Sequence, residues 1–128
     1  MKTVCLDTNA YSLFRQGNAS IVKKIVSYDR VLMPVIVLGE LQSGFYGGSK
    51  LAQNQSALQA FLASESVAVV AVNQRTTLLY GQITQQLRLL GKPIPTNDIW
   101  IAAIAQEQRA PLLTMDAHFS IIKGLELV

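Results

Sequence analysis

Residues 2–9 of the chain are Lys-Thr-Val-Cys-Leu-Asp-Thr-Asn, and this stretch decides the fold class. The run 2–6 is short and mainly apolar, as expected of a buried strand. Asp7, Thr8 and Asn9 follow it directly, and their side chains favour the start of a helix. A strand that passes at once into a helix predicts an α/β domain.

The alternation of strand and helix patterns continues along the chain and predicts a mainly parallel sheet. Further strands are predicted at the runs 31–33, 67–72, 111–115 and 125–128. Helices are predicted at 21–26, 34–45, 49–65, 74–90 and 98–105. Run 67–72 is entirely apolar, which is typical of a strand covered on both faces. The last helix is apolar on every side and therefore predicted to be buried, with Thr96 or Asn97 as its N-cap.

The composition predicts one folded domain, residues 1–128. Hydrophobic residues make up 50% of the chain and charged residues 15%, which excludes a disordered chain. The single cysteine, Cys5, excludes a disulfide framework and fits a reducing compartment. No apolar run is long enough for an export signal or a membrane span, so we expect a cytoplasmic protein without membrane contact. The net charge of +3 is compatible with a polyanionic partner but does not require one.

The positions of the acidic residues point to function. The chain has eight of them, and four lie in apolar surroundings: Asp7, Glu40, Asp98 and Asp116. Asp7 and Asp116 directly follow predicted strands, and the carboxyl ends of parallel strands meet at one edge of a sheet. Asp98 opens a helix whose dipole favours an ionised carboxylate. The other four are interpreted as ordinary turn, helix and edge residues: Asp29, Glu65, Glu107 and Glu126.

Several carboxylates at one edge of a sheet favour a bound cation. Two carboxylates about 4 Å apart repel each other by roughly 4 kcal/mol at an effective dielectric constant of about 20. Oxygen ligands without cysteine or histidine favour Mg²⁺ or Mn²⁺ over zinc. Such an ion activates water for attack on a phosphodiester. Each acid alone also fits a helix cap or a turn, but the four together favour metal-dependent phosphoryl chemistry.

Four segments of the chain resemble motifs of a known family. They are 6–9 (Leu-Asp-Thr-Asn), 39–41 (Gly-Glu-Leu), 95–103 (Pro-Thr-Asn-Asp-Ile-Trp-Ile-Ala-Ala) and 112–119 (Leu-Leu-Thr-Met-Asp-Ala-His-Phe). In this order they resemble the PIN-domain nucleases, most of all the VapC toxins of toxin–antitoxin pairs. The resemblance implies a three-layer α/β/α sandwich around a mainly parallel sheet. It also implies a Mg²⁺- or Mn²⁺-dependent endoribonuclease that hydrolyses RNA phosphodiester bonds with an activated water.

The resemblance implies roles for individual residues as well. The catalytic and metal-binding quartet would consist of Asp7, Glu40, Asp98 and Asp116. Asp7 and Asp98 would be direct ligands, whereas Glu40 would often act through water. Three polar residues would orient the acids or contact the substrate phosphate: Thr8, Asn9 and Thr114. The implied partners are RNA, a second copy of the chain in a homodimer, and a small VapB-like antitoxin that blocks the site.

Other residues near the motifs are interpreted with less specific roles. His118 is the only histidine and lies two residues after Asp116, and we expect a structural role for it rather than that of a base. Aromatic residues expected either to stack on an RNA base or to pack inside the domain are Tyr11, Phe14 and Tyr46. Basic residues that are candidates for phosphate contacts are Arg15, Lys50 and Lys92.

Two other functions are compatible with parts of the sequence. In a phosphatase or phosphotransferase Asp7 would act as a nucleophile, but that chemistry usually requires a second aspartate where this chain has Asn9. A PIN-like fold can also act only as a binding module, yet such a module has no reason to keep four costly acids. Metal-dependent RNA cleavage is therefore the first hypothesis.

Overall fold

A computed structural model describes residues 1–128, and four parallel strands form its central sheet. The strands are β1 (Thr3–Leu6), β2 (Arg30–Pro34), β3 (Val67–Val70) and β4 (Leu112–Leu113). Their order is β3-β2-β1-β4, so β1 lies between β2 and β4. Val4 pairs with Val31, and Cys5 pairs with both Leu32 and Leu112. The predicted parallel sheet is confirmed, and its central strand is the one that ends at Asp7.

Helices cover the sheet in a three-layer α/β/α sandwich, as the resemblance implied. The helices are α1 (Thr8–Arg15), α2 (Ala19–Val26), α3 (Val35–Gly47), α4 (Leu51–Leu62), α5 (Gln74–Leu90) and α6 (Thr96–Glu107). A short 3₁₀ helix spans Ala117–Ile121. α5 packs along α6, while α3 contacts α1, α4 and α6. None of these helices combines the length and the hydrophobicity needed to cross a membrane.

The middle of helix α6, Ile99 and residues 101–105, is buried as its sequence predicts. Its start differs from the prediction, because neither Thr96 nor Asn97 is the N-cap. Pro95 occupies that position without a side-chain hydrogen bond, and its carbonyl accepts from the Asp98 N–H at 3.1 Å. The extended backbone of Pro95 turns the chain into the helix, so Asp98 lies in the first turn.

Strand β3 is not covered on both faces, contrary to the interpretation of run 67–72. It pairs only with β2 at the edge of the sheet, and Val69 is 48% exposed. The strand also ends at Val70. An all-apolar run shows that a strand is hydrophobic, but it does not distinguish an edge strand from a central one.

The two strands predicted near the end of the chain are shorter than expected. β4 contains only Leu112 and Leu113, and run 125–128 contributes a single bridge, from Leu127 to Leu112. Directly after β4 the Asp116 N–H donates to the hydroxyl of Thr114 at 2.9 Å and closes a turn. This turn leaves Thr114 and Asp116 at the carboxyl edge of the sheet.

Candidate active site

Asp7 anchors the site at the end of the central strand. It is 4% exposed, and both of its carboxylate oxygens accept hydrogen bonds. Oδ1 accepts from the Ala10 N–H at 2.8 Å and thereby caps α1, and Oδ2 accepts from the Thr114 hydroxyl at 2.5 Å. Asp7 is thus a helix cap and a member of the acidic cluster at once. The cap and the hydroxyl fix the direction of its carboxylate.

Asp98 and Asp116 meet on either side of a histidine. His118 Nε2 lies 2.8 Å from Asp98 Oδ2, and His118 Nδ1 lies 3.0 Å from Asp116 Oδ1. One ligand atom from each of these three residues lies within 4.8 Å of the others, a spacing that allows a metal ion to be shared. We expected a structural role for His118, but the structure places its ring between two of the predicted site acids.

Glu40 joins the region around Asp7 from another helix, α3. It lies on α3, and its Oε1 accepts a hydrogen bond from the Thr8 hydroxyl at 2.6 Å. Thr8 begins α1 immediately after Asp7, so the bond ties Glu40 to the loop that carries Asp7. Asn9 is exposed in the same turn of α1. The predicted polar residues Thr8 and Thr114 therefore each hold one acid of the quartet.

The neighbouring acids make the ionised forms of Asp7 and Asp98 less favourable. Burial is the largest effect that raises the pKa of Asp7, and nearby Asp98 and Asp116 raise it further, while hydrogen bonds from Thr114 and Ala10 act in the opposite direction. Burial likewise raises the pKa of Asp98, and Glu40 and Asp116 add to this increase. His118 opposes that increase through its hydrogen bond and its charge. A divalent cation would relieve this crowding, so the donor set fits a metal.

The tightest group of donor atoms differs from the predicted ligand set. It comprises Asp98, Asp116 and His118, whereas both oxygens of Asp7 are engaged by Thr114 and Ala10. The all-oxygen ligand set stays a prediction. The sequence could not place His118 beside Asp98, because the separation of two residues from Asp116 does not show where a 3₁₀ turn directs the ring. The one sequence feature that could have indicated this position is that His118, the only histidine of the chain, lies two residues after a predicted site acid.

The other residues considered from the sequence fall into two groups. Tyr11 is buried and packs edge-on against Phe61, which also contacts Phe14, so these aromatic residues serve packing. Tyr46 is 72% exposed. The basic candidates are all exposed, and phosphate contacts by them stay predictions: Arg15, Lys50 and Lys92.

Fold and cluster together define a class of protein, an α/β/α domain that gathers carboxylates at the carboxyl edge of a parallel sheet. The family model that describes this class is the PIN domain, and it matches residues 4–125. This match includes every residue of the cluster described above.

Individual relatives narrow the class. Ribonuclease VapC1 of Haemophilus influenzae (strain R2866) is 34% identical over 113 residues, which cover 85% of this chain and 83% of the relative. The structure of VapBC2 from Rickettsia felis bound to a DNA fragment from its promoter matches with a TM-score of 0.89 at 28% identity, covering 98% and 97% of the two chains. VapBC-1 from nontypeable Haemophilus influenzae matches with a TM-score of 0.86 at 30% identity, covering 98% and 96%. The chain belongs to the PIN-domain family, and within it to the VapC ribonucleases.

Proposed function

We propose that residues 1–128 act as one nuclease domain that hydrolyses RNA with a divalent ion held by the acidic cluster. The observation that carries this proposal is the convergence of Asp7, Asp98 and Asp116, with burial and like charge raising the pKa of Asp7 and Asp98. Acids with perturbed pKa values at the edge of a parallel sheet are typical of catalytic sites. Membership of the VapC ribonucleases supports RNA as the substrate class.

The quartet of acids would hold Mg²⁺ or Mn²⁺. We assign the catalytic and metal-binding roles to Asp7, Glu40, Asp98 and Asp116, and add His118 as a neighbour of the ion. When bound, the ion would supply a lowered pKa for the attacking water and positive charge beside the phosphate oxygens. Attack by water on the phosphorus would leave a 5′-phosphate and a 3′-hydroxyl.

The chain's own residues orient these acids. The Thr114 hydroxyl donates to Asp7, and the Thr8 hydroxyl donates to Glu40, so neither carboxylate is free to rotate away. The N-terminus of α6 stabilises the ionised form of Asp98 through the helix dipole. Asn9 is exposed next to Thr8, and in this proposal its amide would donate an N–H to a substrate phosphate. These contacts keep the acids ready for a cation before substrate arrives.

We further propose the partners that relatives of this kind suggest. The solved structures of VapBC2 and VapBC-1 are complexes of a VapC protein with its VapB partner. By analogy the chain would act as the toxin of a pair, bind a VapB-like antitoxin and form a homodimer. An RNA substrate would place its action in the cytoplasm.

The test is incubation of the purified chain with total cellular RNA in Mg²⁺, in Mn²⁺ and in EDTA. Asp7→Asn removes one acid of the cluster, and Asp29→Asn is the matched control because Asp29 is an exposed acid that binds the Lys2 N–H at 2.7 Å. We expect discrete fragments with wild type and Asp29→Asn only when metal is present, and none with Asp7→Asn. Equal cleavage by Asp7→Asn, or cleavage in EDTA, would overturn the proposal.

A further inference from the structure

A groove of about 560 Å³ lies beside the acidic cluster, on the side of Glu40. Its walls come from one face of α3 and from the start of α6. The lining residues are Val35, Ile36, Gly39, Glu40, Ser43 and Asn97. The volume is within the range of small-molecule binding sites. The groove shares Glu40 with the proposed catalytic acids.

Three residues at helical spacing form the α3 side of the groove. Val35, Gly39 and Ser43 follow one another every four residues, so they lie along one face of α3. Gly39 has no side chain, and a Cβ atom built on it would meet no atom within 4 Å. A side chain at position 39 therefore has free space at its Cβ atom, and because Gly39 lines the groove it would occupy part of the groove.

The charge of the groove selects the neutral part of a nucleotide. No lysine or arginine lines it, and Glu40 is its one charged residue. A phosphate is therefore disfavoured, whereas the apolar side chains of Val35 and Ile36 suit the flat face of a base. The Ser43 hydroxyl and the Asn97 amide offer both donors and acceptors, as recognition of a base edge requires.

Asn97 connects the groove to the cleavage chemistry. It directly precedes Asp98, and Glu40 lies close enough to raise the pKa of the Asp98 carboxyl. A base that occupies the groove would thus belong to a nucleotide next to the phosphate at the acidic cluster. A single-stranded RNA presents such an unpaired base for stacking and edge contacts.

We propose that this groove binds the base of the nucleotide beside the cleaved phosphodiester, and that Asn97 reads its edge. The inference rests on the proposed RNA cleavage and adds its sequence preference. The groove provides van der Waals contact through α3, and Asn97 provides selection among bases.

The first experiment fills the groove. Gly39→Leu places a side chain in it, and Gly44→Leu is the matched control, because Gly44 lies on the same helix, is equally open and does not line the groove. Leucine has a higher helix propensity than glycine, so both variants should fold, and circular dichroism checks this. The probe is a fluorescein-labelled single-stranded RNA of random sequence, with anisotropy recorded in Ca²⁺ and a gel to verify that the RNA stays intact.

We expect Gly39→Leu to weaken RNA binding by about tenfold or more, and Gly44→Leu to bind within about twofold of wild type. Equal binding by the two variants would overturn the proposal. Loss of binding to a protein partner without any loss of RNA binding would also overturn it and would assign the groove to that partner.

The second experiment tests the role of Asn97. Fragments cut from a random RNA pool by wild type and by Asn97→Ala are sequenced at their ends. We expect wild type to prefer particular bases at one position beside the cut, and Asn97→Ala to lose that preference while Mn²⁺ affinity is unchanged. An unchanged preference would contradict the role of Asn97. Binding without cleavage by wild type would refute the proposed nuclease, whereas the anisotropy comparison would still decide whether the groove binds RNA.

Discussion

Helix α6 carries one acid near each end, and the two ends have different surroundings. Asp98, in the first turn, lies against His118 at 2.8 Å and near the other cluster acids. Glu107, the last residue, accepts a hydrogen bond from the Thr76 hydroxyl of α5 at 2.6 Å. Thr76 is fully buried and also takes part in the capping box that starts α5 with Asn73.

The comparison separates an acid that joins two packed helices from an acid that belongs to the proposed metal site. The helix dipole favours Asp98 and disfavours Glu107, each by about 0.3–1 kcal/mol. Even so, burial and neighbouring acids raise the pKa of Asp98, so its charge is costly in the folded chain without a cation. Glu107 ties two packed helices together through one threonine. A hydrogen bond from a hydroxyl to a carboxylate is therefore not enough to indicate a metal site. The convergence of several acids is what distinguishes the start of α6 from its end.

The largest expected effect comes from removing the charge of Asp98. Asp98→Asn keeps the size of the side chain but weakens metal binding, and we expect RNA cleavage to fall by about 10³-fold, or roughly 4 kcal/mol. The free energy of unfolding should not decrease, because one repulsive charge is lost. Single-turnover cleavage and urea denaturation measure the two quantities. Glu107→Gln is the matched control at the other end of α6 and should cleave within about twofold of wild type.

The next largest effect is a loss of stability at the Glu107 end of α6. Thr76→Val removes the donor to Glu107 and one bond of the capping box of α5. Because buried partners would be left unsatisfied, we expect a loss of about 2 kcal/mol in the free energy of unfolding. Cleavage per folded molecule should be unchanged. A strong loss of activity with unchanged stability would contradict the division between the two ends.

A smaller effect, on Mn²⁺ affinity, is expected at Thr114 in the acidic cluster. Thr114→Val removes a hydrogen bond that lowers the pKa of Asp7, so Asp7 should be harder to ionise. We expect Mn²⁺ affinity at neutral pH to fall by about tenfold, one charge-assisted hydrogen bond being about 1.5–3 kcal/mol. Thr114→Ser restores the hydroxyl and should restore affinity. Isothermal titration measures both, and equal affinity for the valine and serine variants would refute the role.

The smallest effect is a pH dependence of stability. The pKa of Asp7 in the folded chain lies above its ordinary value of 3.8, so the folded state binds more protons than the unfolded state between these two values. As pH rises through this window Asp7 becomes ionised in the folded chain, and the free energy of unfolding therefore decreases. In EDTA, Asp7→Asn should have the same unfolding free energy as wild type below pH 3.8, and its advantage should grow as pH rises through this window and then stay constant. An advantage that grows on acidification would reverse the sign and contradict the assignment.

The sequence predicted those features that depend on local order. Asp7 and Asp116 were placed at one edge because parallel strands end together, and the helix predicted at 74–90 is α5 with the same bounds. The exposure of β3 was not predictable, because strand order depends on which strands pair. The bond between Thr76 and Glu107 was equally hidden, since it spans 31 residues and forms only when α5 packs on α6. Glu107 was accordingly interpreted as an ordinary residue.

The central claim is that the acidic cluster at the start of α6 holds a divalent ion. Binding of Mn²⁺ tests this claim most directly. Metal-free wild type, Asp98→Asn and Glu107→Gln are titrated with Mn²⁺ and followed by calorimetry and by the electron paramagnetic resonance signal of the free ion. We expect wild type and Glu107→Gln to bind with the same affinity, and Asp98→Asn to bind at least about tenfold more weakly. Equal affinity in all three proteins, or no binding by wild type, would contradict the claim.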